Sequence, residues 1–171
     1  MIRAFLTSIV AVVAIVLPGF AEEKYAPDGG KFSIAFPAKP TTNTKQVDSP
    51  IGKITMNVHA LEVRKDLGYL VVVNDYPDVV AKDKPQDVLG RVRDGSKGPD
   101  GKVVEDKPIT FGTNGIPGRE YLLEKGSEHF HRARTYIKGG RLYQIIVTGT
   151  KKEDVMSNDA DKFLDSFEIT K

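Results

Sequence analysis

Two histidines stand two residues apart in Glu128-His129-Phe130-His131-Arg132. In extended backbone, residues i and i+2 share a face. Both imidazoles would then point the same way and offer two ligands to a transition-metal ion. Structural metal sites take four ligands and catalytic sites three plus an open position, so the pair needs company. His59 is the one other histidine, and whether it approaches depends on strand order, which spacing does not give. Without further ligands, His129 and His131 are ordinary polar residues at a strand start. The alternate face of the same run carries Phe130, Arg132, Arg134 and Tyr136, with Arg141 just past the next turn. Arginines beside aromatic rings can grip an anionic ligand or partner by bidentate contacts and stacking. The commoner use of such residues is a cross-strand charge ladder, here with Glu120 or Glu124. Asp75, Asp78 and Asp83 could hold a hard cation such as Ca²⁺, and the same residues suit turns and helix caps.

Catalytic patterns are missing. The chain has no Cys, which removes thiol chemistry. The nearest approach to a Gly-x-Ser-x-Gly elbow, Asp94-Gly95-Ser96-Lys97-Gly98, lacks the spacing. Gly149-Thr150-Lys151-Lys152 is not a phosphate-binding Walker loop, and Asp159-Ala160-Asp161 lacks the rest of an EF-hand. No cofactor is implied. Lys and Arg total 25 against 23 Asp and Glu, a formal net charge of +2, so nothing steers the chain to nucleic acid.

The elements that must position these residues begin after an address. Residues 1–21 place Arg3 before an apolar run, Pro18 after it, and Gly19 and Ala21 at the −3 and −1 positions of a cut. This is the order of a secretory signal peptide. The run stops short of the roughly 20 residues a membrane anchor needs. The expectation is cleavage near Ala21, export to the periplasm or beyond, no stable transmembrane anchor afterwards, and a single domain over residues 22–171.

Within that domain, Gly-containing turns at 125–128 and 138–141 separate three strand-like runs, 118–125, 128–138 and 141–149, which read as an antiparallel meander. Gly52–Val63 alternates with period two. Tyr69–Tyr76 and Tyr143–Val147 are apolar on both sides, so both sheet faces must be covered. A helix is expected after Asp83 as N-cap, with Val88, Leu89 and Val92 as its stripe and Gly95 as its stop. A second runs from about Ser157 to Ser166, with Ala160, Phe163, Leu164 and Phe167 as its buried stripe. Lys31–Phe36 reads as a short strand, residues 93–102 as a loop, and Phe167–Thr170 as a return to the sheet edge. Together these give an α+β domain, a mostly antiparallel β-sheet with helices packed on its faces.

The run Phe32-Ser33-Ile34-Ala35-Phe36-Pro37, then Gly118-Arg119-Glu120, Arg134-Thr135-Tyr136, Gly140-Arg141-Leu142-Tyr143-Gln144 and Phe163-Leu164-Asp165-Ser166-Phe167, resembles small exported bacterial proteins similar to the PsbP-like α-β-α sandwich. The resemblance covers residues 25 to 170. It implies binding rather than catalysis, since that superfamily includes a lumenal extrinsic subunit of photosystem II and a nuclear-import factor that binds a small GTPase. No functional residue of either carries over. The expectation is a non-enzymatic binding or accessory domain acting on a protein or envelope partner. The alternative is a small-ligand or metal-binding protein using the His129/His131 face.

Overall fold

The computed structural model describes residues 24–49, 52–76, 83–126 and 128–171. The expected leader and Asp78 lie outside them. Strands β2 (Thr41–Ser49), β3 (Gly52–Arg64) and β4 (Leu67–Asp75) form one meander. Strands β5 (Gly101–Phe111), β6 (Ile116–Lys125), β7 (His129–Lys138) and β8 (Arg141–Gly149) form another. Helix α1 (Pro85–Lys97) carries the chain from β4 to the far edge. The second meander then folds back until β8 pairs with β4, giving the order β2-β3-β4-β8-β7-β6-β5, antiparallel throughout. The expected 118–149 meander is β6–β7–β8. Gly126 and Gly139 turn it at φ 64° and 61°, values that a side chain disfavours.

Both faces of the sheet are covered, as the two-sided apolar runs require. On one face, Tyr69, Val71 and Val73 of β4 and Tyr143, Ile145 and Val147 of β8 pack under α3 (Asn158–Asp165), through Ala160, Phe163 and Leu164. The short α2 (Lys152–Val155) and the N-terminal residues Phe32, Ile34 and Phe36 complete that layer. Ser157 caps α3, its Oγ accepting from Ala160 N at 3.3 Å. On the other face, Val88 and Leu89 of α1 press onto Ile137 and Leu142.

Several local expectations are corrected. Lys84, not Asp83, is the α1 N-cap, because the residue before Pro85 is pushed into extended backbone, here φ −64° and ψ 128°. The Asp83 carboxylate pairs with Arg91 instead. Helix α1 runs through Gly95 and closes at Gly98, φ 73°, so residues 93–97 are helical rather than loop. Lys31–Phe36 is not one strand. Only Phe32–Ser33 (β1) is, Ile34 bridges to Tyr25, and Ala35 N donates to Ser166 Oγ at 3.0 Å. The C-terminal Glu168–Ile169 (β9) pairs with β1 in a separate two-stranded sheet rather than with the main sheet edge. Strands β2 and β5, the two edges of the main sheet, had no sequence counterpart.

Candidate functional site

His129 and His131 do share a face of β7. His129 is exposed. The His131 ring lies parallel to Tyr121 at 6.4 Å, and its Nε2 is buried without a hydrogen-bond partner. Burial, helped by the nearby Lys125 charge, pushes its pKa down to about 4, so the ring is neutral. His59 sits on the opposite face of the sheet, with Nδ1 3.0 Å from Tyr25 Oη and 3.3 Å from Thr42 Oγ1. Burial lowers its pKa too. Among the described residues, no three His, Asp or Glu side chains converge as a metal site requires.

The arginines of β7 form a ladder. Arg132 donates through Nε and Nη2 to Glu120 Oε1, at 3.2 and 2.9 Å, and through Nη1 reaches Asp161 Oδ1 at 2.7 Å. Arg134 meets Glu120 Oε2 at 3.4 Å and the Asp165 carboxylate. Glu120 is thus shared by both guanidiniums, with Lys107 at 3.4 Å. Burial alone would raise its pKa. The Arg132 hydrogen bond and the charges of Arg134, Arg132 and Lys107 outweigh that, and hold the carboxyl below its usual range. Tyr136 is buried and stacks on Phe167 at 5.9 Å.

Arg141 leaves the same face but belongs to another place. It opens β8, opposite Lys138, at the end of the sheet. Its Nε and Nη2 clamp Asp75, at 2.5 and 2.9 Å, and its Nη1 donates to the Gly29 carbonyl at 3.0 Å. A cleft of about 590 Å³ opens beside it, lined by Lys31, Asp75, Lys138, Arg141, Tyr143 and Lys171 among others. Lys138 and Arg141 are like charges set directly opposite each other, an arrangement that costs stability. Among the described residues, no carboxylate lies in ion-pair reach of Lys31, Lys138 or Lys171. Lys31 also holds φ at 53°, the one non-glycine with positive φ among the described residues. Its carbonyl accepts from Thr170 N at 3.0 Å and from Tyr143 Oη at 3.4 Å, which pins it there. Such strain persists only where surrounding contacts over-determine it. Gly140 closes the cleft floor: its carbonyl accepts from Tyr76 N at 2.8 Å, and a Cβ there would stand 2.9 Å from Tyr76 O.

Tyr76 is shared with a second groove, of about 550 Å³, between α1 and the sheet, where Val88, Val92, Ser96 and Gln144 face each other. Sequence reading had brought Arg132, Arg134, Tyr136 and Arg141 into one face. It did not find Lys31, Lys138 or Lys171. Only Lys138, beside the Gly139-Gly140 turn and Arg141, carried a hint.

No helix among the described residues is long and apolar enough to cross a membrane. No protein-family model and no curated protein matches the sequence. A solved structure does: the solution structure of cyanobacterial PsbP from Synechocystis sp. PCC 6803, at 16% identity and TM-score 0.56, covering 92% of this chain and 98% of that one. A mostly antiparallel sheet with helices on both faces, superimposing over nearly the whole of both chains, is the PsbP-like α-β-α sandwich fold.

Proposed function

We propose that this chain is an exported, non-enzymatic binding domain that docks an anionic surface of a protein or envelope partner in the cleft of Lys31, Lys138, Arg141 and Lys171. The observation that carries the reading is that, among the described residues, four cationic side chains and one carboxylate, Asp75, line this cleft, one cation opposite a like charge and one on strained backbone. Folding alone disfavours both arrangements, and an anionic partner would relieve the repulsion. The absence of any catalytic pattern in the sequence supports a binding role.

The test is capture by crosslinking in the native cell, with an affinity tag carried in the 98–100 turn at the other end of the sheet. One enriched envelope protein, lost in a Lys31→Glu, Lys138→Glu, Lys171→Glu variant, supports the reading. An unchanged capture pattern in the folded variant ends it. Hexaglutamate should bind the wild-type cleft and weaken as salt shortens the Debye length to about 10 Å near 0.1 M.

A second reading rests on His131. A neutral imidazole whose buried Nε2 has no partner could serve a small ligand or metal together with His129. Calorimetric titration with Zn²⁺ and Cu²⁺ tests it, and a flat trace retires it.

A further inference from the structure

The two edges of the seven-stranded sheet differ in how they treat their free main-chain groups. Strand β5 is blunted. Pro108 removes a donor, a bulge between Val103 and Glu105 breaks the ladder, and Lys102, Glu105, Asp106 and Lys107 charge the strand. Strand β2 has neither a proline nor a bulge, and only Lys45 and Asp48 charge it. It runs nine residues, Thr-Thr-Asn-Thr-Lys-Gln-Val-Asp-Ser, unbroken in register with β3, and residues 41–48 are all exposed. Among the described residues, no main-chain hydrogen bond is made on its outer side. Asp48 faces Lys53 across the hairpin, whereas Lys45, at the strand centre, faces Met56 and has no carboxylate in reach among the described residues.

We propose that β2 is a strand-addition site. It takes an extended segment of another protein as an eighth strand, with a carboxylate of that segment opposite Lys45. Main-chain groups in a row give affinity in such pairing, and side chains on alternate positions give selectivity. The charge argues against a second copy as occupant. Full antiparallel overlap of two β2 strands centres on Lys45 and sets it against itself, which is destabilising. The neighbouring side chains are Asn43 and Val47 on the same face, with partly buried Met56 and Val58 of β3 behind them. The added strand therefore presents small or apolar residues on either side of its carboxylate. This surface is separate from the Arg141 cleft, so either proposal can fail alone.

The test uses the purified full chain and two capped nine-residue peptides of alternating Thr and Val, one with Glu at its centre and one with Lys. Amide hydrogen exchange is followed by NMR. The Glu-centred peptide should slow exchange along β2 and leave β5 unchanged. The Lys-centred peptide should bind more weakly, by up to about fivefold, the range of a cross-strand charge pair. The exposed substitution Lys45→Glu should reverse the order of the two peptides. No added protection on β2 at millimolar peptide overturns the proposal, as does equal protection on β5. A preference that Lys45→Glu leaves unreversed overturns it too. Protection of β2 that grows with chain concentration alone would make a second copy the occupant, and would also overturn it.

Discussion

Arg132 and Arg141 leave the same face of the sheet, nine residues apart in sequence, yet their surroundings are opposite. Arg132 is sealed between Glu120 and Asp161, with its side chain 9% exposed. Arg141 keeps one carboxylate and the backbone carbonyls of Gly29 and Gly30, is 24% exposed, and stands among three lysines without ion-pair partners among the described residues. The first arginine fastens α3 to the sheet. The second stands where positive charge is in surplus among the described residues. The number of carboxylates brought within reach, rather than residue type or strand face, separates a stabilising arginine from one available to a partner.

The largest test of this contrast is Glu120→Ala. It removes the carboxylate that two guanidiniums share, leaving Arg132 with Asp161 and Arg134 with Asp165, and should cost about 1.5–3 kcal/mol in urea unfolding. Asp75→Ala should cost no more than about 1 kcal/mol, because Arg141 keeps its carbonyls and solvent. Equal losses would break the comparison.

Acid separates the two faces next. His131 titrates at about 4 in the fold and near 6.5 when unfolded. Between those values the unfolded chain binds a proton that the folded chain does not. Stability should be full above pH 6.5 and fall as pH drops towards 4, by at most about 3 kcal/mol. His131 is only partly buried as a residue, which makes that an upper bound. His131→Phe should keep the stacking on Tyr121 and flatten this window in pH-dependent denaturation. The Glu120 contribution runs lower. With its pKa held below the usual range, its stabilisation is present above the unfolded value and is lost as pH falls through the folded one.

Smaller effects sharpen the cleft side. Lys31→Gly should raise stability by about 0.5 kcal/mol. Relief of left-handed strain, roughly 1–2 kcal/mol, exceeds the added freedom of the unfolded glycine. The same change should weaken hexaglutamate binding. Lys138→Gln should stabilise by a few tenths of a kcal/mol by removing the like charge opposite Arg141, again with weaker anion binding. Thermal melts paired with peptide titration read both. A cleft lysine whose removal lowers stability and spares binding would count as structural.

Much of this architecture was legible because local chemistry is unambiguous in places. Gly126 and Gly139 mark turns that few other residues tolerate, and the two-sided apolar runs of β4 and β8 can exist only inside a covered sheet. The edges were illegible for a physical reason. Strand β2 is exposed on both faces, so no apolar alternation marks it, and β5 carries a proline that reads as a break. The ladder was half visible: register across a hairpin made Glu120 a natural partner for Arg134, whereas Asp161 and Asp165 arrive on a helix whose docking spacing does not encode. The cleft was hidden because Lys31 and Lys171 come from opposite ends of the described chain and meet only through the pairing of β1 with β9.

The seam between β4 and β8 has a consequence in time. Asp75 and Arg141 meet across 66 residues of chain, and closing a loop of that length costs on the order of 4 kcal/mol before any contact repays it. The β5–β8 meander closes through short hairpins and can form early, whereas the seam belongs to the slow, non-local class of pairings. Asp75 comes from one side of the seam and Arg141 from the other. A ligand of that cleft therefore meets its site only after the last large ordering step, so the rate at which anion-binding capacity appears during refolding times the closure of the sheet.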